Sequence, residues 1–276
     1  MRHLLSLVAL AALACSEAPA PAPAPKAPSA TDARAKAPAA APTAQAVEAA
    51  LAPSPLDLDG RVKEAGLTTT LSSLVPDRSF DMSTGSTDSV AVRTGVVLSD
   101  AILAGDAGSS ALFVRRLEEA RSGMERLGMT EGQGILQQVD GFIQAARDET
   151  ASRGDFVLAL DQILQDKVPE ESWAPGDQTG PLLQAGAWLA GTNLIARAVV
   201  ADDNAAAAQQ LLRQPEVVRF FIGYVKTEGA DKAPDAIVAD LTATLQQLEV
   251  VVAKPTLTVA DAKVVAQATD KLLNQL

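Results

Sequence analysis

Histidine and cysteine each occur once in this 276-residue chain, as His3 and Cys15. Everything after Cys15 therefore lacks both an imidazole and a thiol. That removes Ser-His and Cys-His nucleophilic catalysis, imidazole acid–base work and nearly all zinc sites from the body of the protein. No metal and no cofactor is expected. Aromatics are scarce, with six Phe, two Trp and one Tyr, which leaves few flat platforms for stacking sugars. Basic residues are outnumbered, 23 Lys and Arg against 34 Asp and Glu. The charges before Pro55 (Arg2, Lys26, Arg34 and Lys36 against Glu17, Asp32 and Glu48) nearly cancel, so the body carries the acidic excess. Such a surface disfavours nucleic acid and a peripheral hold on anionic lipid, since both need clusters of Lys and Arg. No alternating strand pattern and no Gly-rich phosphate loop is found. LDLDGRVKE (56–64) has a calcium-loop look, but an EF-hand loop starting at Asp57 needs Gly at its sixth position, where Val62 stands; Asp59 is read instead as a helix cap.

What is present begins with an export signal. Arg2 supplies a positive start, and LLSLVALAALA (4–14) is an apolar run too short to cross a bilayer. It ends at Ala12-Leu13-Ala14-Cys15. In these residues the chain resembles the bacterial lipoproteins, and the resemblance stops there. It implies that residues 1–14 are a signal peptide and that Cys15 becomes the acylated first residue. Ala12 stands where that family prefers Leu, and Ala-Leu-Ala is also an ordinary signal-peptidase site, so a soluble periplasmic or secreted protein is the alternative. The lone cysteine favours lipidation: an exported chain with one Cys makes no internal disulfide, and a free exposed thiol is a liability. Ser16, rather than Asp, after the cysteine implies onward transport to the outer membrane, facing the periplasm. Each buried methylene contributes about 0.8 kcal/mol, so two or three acyl chains anchor firmly where one does not.

Residues 15–54 form the lipidated N-terminus and a linker. EAPAPAPAPKAPSATDARAKAPAAAPTAQ (17–45) holds seven of the sixteen prolines and almost no large apolar residue, too little to offset the entropy of ordering. It reads as a disordered, extended stand-off stalk at roughly 3.1 Å per residue.

Residues 55–276 read as an all-α globular domain, a bundle of about 8–11 helices by periodicity. One or two short helices fall in 57–75, with Val62, Leu67, Leu71 and Leu74 inward, and 76–86 is a loop. Helices follow over 88–104, 110–128, from Thr130 through Ile143, and over 154–167 behind a Ser152/Asp155 cap. On 110–128, Arg115, Glu118, Glu119, Arg121 and Glu125 read as a solvated face. A Pro/Gly-bearing linker, 168–180, precedes PLLQAGAWLAGTNLIARAVV (181–200). This stretch carries one charge, Arg197, and has no wet side. Its internal Gln184, Thr192 and Asn193 and its small residues favour a protein core over a membrane span. Asp203 is expected to cap a short Ala-rich helix. Helices over 215–227, burying Val218, Phe221 and Val225, and over 234–253 come next. Thr258 and Asp261 start the last helix, with Val264, Val265, Ala268, Leu272 and Leu273 inward.

The two halves, 88–168 and 181–276, present the same features in the same order. VRTGVVLSDAILA (92–104) aligns with LQAGAWLAGTNLIA (183–196), pairing Gly95 with Gly186 and Leu98 with Leu189. Ser152-x-x-Asp155 pairs with Thr258-x-x-Asp261. Two related halves are expected, although amphipathic helices also align by period alone. Gly95, Gly186 and Ala190 are then the close-packing positions of two crossing helices. Trp188 is expected in the core, and Trp173, beside Glu170 and Glu171, as a loop anchor; both are candidates for lining a cleft. The expected function is a non-catalytic binding or scaffolding domain tethered to the membrane by its lipid, with another envelope protein as a candidate partner and no nucleic acid. The alternatives are a carboxylate-dependent glycan hydrolase of the envelope, and a carrier of an apolar ligand between the halves.

Overall fold

A helix with no wet side has to be surrounded, and the stretch 181–200 is. The computed structural model describes residues 52–105, 110–129, 134–150, 153–167, 179–228 and 235–276. Among them are eleven α-helices and no strand, as the periodicity predicts. In chain order these are α1 (Pro55–Glu64), α2 (Leu71–Leu74), α3 (Thr87–Ala104), α4 (Ser110–Arg126), α5 (Ile135–Arg147), α6 (Arg153–Gln162), α7 (Thr179–Ala201), α8 (Ala205–Leu211), α9 (Pro215–Glu228), α10 (Ala236–Val252) and α11 (Val259–Leu273). Helix α7 lies at the centre, with α1, α2, α3, α8, α9 and α11 around it. Its longest contacts are with α3 and α11.

The α3–α7 crossing is a backbone-to-backbone contact. A Cβ at Gly95 would lie 1.8 Å from the Leu183 carbonyl oxygen, and one at Gly186 would lie 2.2 Å from that of Val92. The contact is reciprocal: each glycine faces the carbonyl three residues before the other. Around it the packing diverges. The principal neighbour of α3 besides α7 is α4, which follows it, whereas that of α7 besides α3 is α11, the last helix. Ala190, one turn on from Gly186, is buried.

The polar groups of α7 are used to join elements. The Asn193 side-chain amide donates to Thr269 Oγ1 (2.8 Å) and Asp270 Oδ1 (2.8 Å), tying α7 to α11. Arg197 Nη1 donates to the Leu74 carbonyl (3.2 Å), satisfying one of the open acceptors at the end of α2. Just past α7, the Asp202 carboxylate accepts from the backbone N–H and the hydroxyl of both Thr68 and Thr69. These bonds, the Thr69 hydroxyl foremost, lower its pKa to about 2 from 3.8.

A lowered carboxylate pKa stabilises the fold above the ordinary value, and the contribution drains as pH falls towards the folded value. Asp202→Ala should therefore melt below the parent at neutral pH, with the gap closing between about pH 4 and pH 2. Thermal melts across that range check it; a gap that stays constant with pH would remove the clamp's role.

Several local expectations are corrected. Asp59 is no cap: α1 starts at Ser54, whose hydroxyl accepts from Asp57 N–H (3.0 Å) while Ser54 N–H donates back to Asp57 (3.4 Å). Asp203 is no cap either. It occupies a left-handed turn (φ 49°), and Asn204 Oδ1 accepts from Ala207 N–H (3.0 Å). Val264 is 36 % exposed rather than inward. After Gln162 the helix over 154–167 widens into a π-turn, Ile163–Lys167. The Thr258/Asp261 capping box is present as expected. Cys15, Thr130, Ser152, Trp173 and residues 168–178 lie outside the described residues, as does the side chain of Val225.

Candidate functional site

Helices α1, α3 and α6 do not close completely on one another. Helix α1 is drawn onto α7 where Leu58 fills the space left at Gly191; a Cβ there would sit 2.5 Å from Leu58 Cδ1. Helix α6 meets the end of α3 at Gly105, where a Cβ would sit 2.3 Å from Val157 Cγ2. Between these two fixed contacts an open groove of about 410 Å³ remains. Its floor is Ile102 and Leu103 from α3 with Val157 from α6, all buried side chains. Leu56 and Leu158 stand at its edges, and Leu158 is 56 % exposed. The volume falls in the range of small-molecule sites, roughly 300–1,000 Å³.

The polar residues of the groove are Asp59 and Lys63 on α1 and Asp155 in the first turn of α6. Asp59 and Lys63 form an ion pair one turn apart (2.7 Å). The two groups differ in depth: the Asp59 side chain is 16 % exposed and that of Lys63 60 %. The carboxylate lies against the protein and the ammonium stands in water. Such a site can hold an apolar body and discriminate charge at its mouth. It contains no thiol, imidazole or hydroxyl to act as a nucleophile.

A second cluster is buried. Asp100 on α3 and Arg116 on α4 are both fully buried, with Arg116 Nε 3.4 Å from Asp100 Oδ2. Arg78, from the loop over 76–86, adds Nη2 at 3.3 Å from Asp100 Oδ2. Arg116 also pairs with Glu119 (2.6 Å) and donates to the Pro76 carbonyl (2.9 Å). The Phe80 ring lies under the Arg78 and Arg116 guanidiniums, 5.2 and 5.9 Å from its centroid. Burial pushes the Asp100 carboxyl above its ordinary pKa, against the pull of both guanidiniums. Loop side chains and backbone fill this cluster, so it fastens the loop to α3 and α4. Glu119 thus leaves the solvated face read for 110–128, whereas Glu118, Arg121 and Glu125 keep to it in exposed ion pairs.

The candidates taken from the sequence fall elsewhere. Gly95, Gly186 and Ala190 belong to the central helices. Trp188 is 3 % exposed, packs on Phe221 and donates through Nε1 to Gln214 Oε1 (2.9 Å), fastening α7 to the start of α9. The recess beside it, of about 10 Å³, is the size of one water probe and no ligand cleft. The groove lies among α1, α3 and α6, all of which precede α7, and so not between the halves. Sequence reasoning missed it because its walls come from three separate segments. The one available signal was Leu158, an apolar residue on the outer side of α6.

Among the described residues no helix is long and apolar enough to cross a membrane, and no group of three or more His, Cys, Asp or Glu is arranged to hold a metal ion. The chain has no match among protein-family models, curated proteins or solved structures.

Proposed function

We propose that this chain is a lipid-anchored binding protein of the bacterial cell envelope, held at the outer membrane through Cys15 and facing the periplasm, whose helical body retains a ligand non-covalently. The observation that carries the binding half of this reading is the open groove over Ile102, Leu103 and Val157. An apolar recess kept open to water forgoes contacts that closing it would supply, which is the usual signature of a ligand site. The anchoring half rests on the placement of the chain's single cysteine directly after a signal-like run. Asp59 and Asp155 give the groove two carboxylates, as a glycan hydrolase needs. Its floor, however, offers aliphatic carbon, with neither an aromatic platform nor hydrogen-bonding groups for sugar hydroxyls. Binding is therefore preferred to hydrolysis.

Two measurements test the two halves. Mass analysis of the mature protein should show a chain beginning at Cys15 with fatty acyl mass, lost in Cys15→Ser; an unacylated mature terminus removes the anchor. A photo-cross-linker placed at Leu158 should capture an adduct in the envelope that the same group at Val250, an apolar site more exposed than Leu158, does not. Identical adducts from both positions would remove the groove as the binding surface.

A further inference from the structure

Resting on the reading of the groove as a binding site, we infer that it selects an uncharged apolar ligand, and that the Asp59–Lys63 ion pair on its α1 wall is what sets this preference. The floor takes carbon. Ile102, Leu103 and Val157 are buried aliphatic side chains, and Leu56 and Leu158 carry that surface to the rim. A polar ligand body would lose its water there and regain no hydrogen bond from these side chains. The floor leaves the ligand's length and branching open; its charge is decided at the rim.

The charged residues lining the groove are Asp59, Lys63 and Asp155, and each is already engaged. At 16 % exposure the Asp59 side chain sits deepest, and left alone it would draw a cation. Lys63 Nζ, one turn on and 2.7 Å away, neutralises it. Asp155 is exposed, has a partner within the protein, and stands in the first turn of α6, where the helix N-terminus favours its charge. An ionic ligand therefore meets no unmatched countercharge. An ammonium has to take Asp59 from Lys63, and a carboxylate has to take Lys63 from Asp59. Either one gives up its own water to do so. An uncharged ligand leaves the pair intact.

Titration calorimetry at physiological ionic strength, on the full chain carrying Cys15→Ser so that no acyl group of its own competes, decides the matter. The probes come in a chain and a ring skeleton: octanol, octylammonium and octanoate, and 1-naphthylmethanol, 1-naphthylmethylammonium and 1-naphthoate. In each the polar group is joined closely to the apolar body, so seating the body brings the charge to the rim. The expected result is saturable binding of the alcohol, about tenfold tighter than either ion of the same skeleton. Lys63→Met keeps the aliphatic stem and leaves Asp59 unmatched, so the ammonium should overtake the alcohol. Asp59→Asn should move the ranking toward the carboxylate, but by less, because the Lys63 side chain is 60 % exposed and its head stands in water. Leu158→Gln, a change at an exposed position, should weaken the alcohols severalfold. An ion that matches the alcohol in the parent, or a ranking that neither charge substitution moves, overturns the selectivity and leaves the groove as a binding site. Alcohol binding that ignores Leu158→Gln, or no binding of any probe, overturns the groove itself.

Discussion

Gly186→Leu should abolish the native fold, or leave it destabilised by about 3 kcal/mol or more. Overpacking a well-filled core costs about 1–3 kcal/mol when side chains can shift rotamer to accept the added atoms. Here the obstacle is the Val92 carbonyl oxygen, 2.2 Å from where the first added carbon must go. A backbone oxygen inside a helix cannot rotate away, so the whole of α3 has to move. Moving it breaks the seat of Val92 and Val96, both fully buried. Gly95→Ala should be nearly as harmful, since its Cβ meets the Leu183 oxygen at 1.8 Å. Urea unfolding of both variants is the check. A transition matching the parent's in midpoint and slope would mean that α3 and α7 do not cross at these glycines.

Arg116→Met should cost about 3–5 kcal/mol, the range seen when one member of a buried ion pair is removed. The volume is roughly conserved, so the loss is electrostatic. Asp100 keeps only Arg78, at 3.3 Å, and Glu119 loses its closest cation. The sign of the pH dependence follows from the carboxyl. Asp100 already has its pKa raised by burial, and losing a cation raises it further. A group that binds its proton more tightly in the folded state destabilises the fold as pH rises. The penalty in Arg116→Met is therefore full at neutral pH and smaller in acid. Adding Asp100→Asn to that variant should recover part of the loss at pH 7. If the single variant unfolds with the parent at every pH, the cluster does not hold the loop.

The sequence spoke clearly where one segment was enough to carry the information. The all-round apolarity of 181–200 announced a surrounded helix, and Gly95 and Gly186 announced a close crossing. Thr258 with Asp261 announced a helix start. What it hid depends on side chains from distant segments sharing a location. Glu119 looked like any charge on a solvated helix face until the buried Arg116 was seen beside it. Asp203 read as the cap of the Ala-rich helix, and the left-handed turn it occupies passes that role to Asn204. The groove was the least legible feature, because α1, α3 and α6 are each unremarkable alone and the space belongs to none of them. Leu158 was the exception, an apolar side chain whose exposure makes sense once the groove is seen.

The reciprocal seating of α3 against α7 also sets when the core can close. Everything from α4 to α6 lies between the two glycines in the chain, so their meeting closes a long loop before any of its reward is collected. Ahead of α7, the apolar sides of α3 have chiefly α4 to lean on, with smaller contacts from α6, α1 and α2. In turn α7 needs α11, almost the last segment made. Synthesis or translocation that stops short of the C-terminal helix therefore leaves an open, aggregation-prone chain, and neither half is a module that can be cut free.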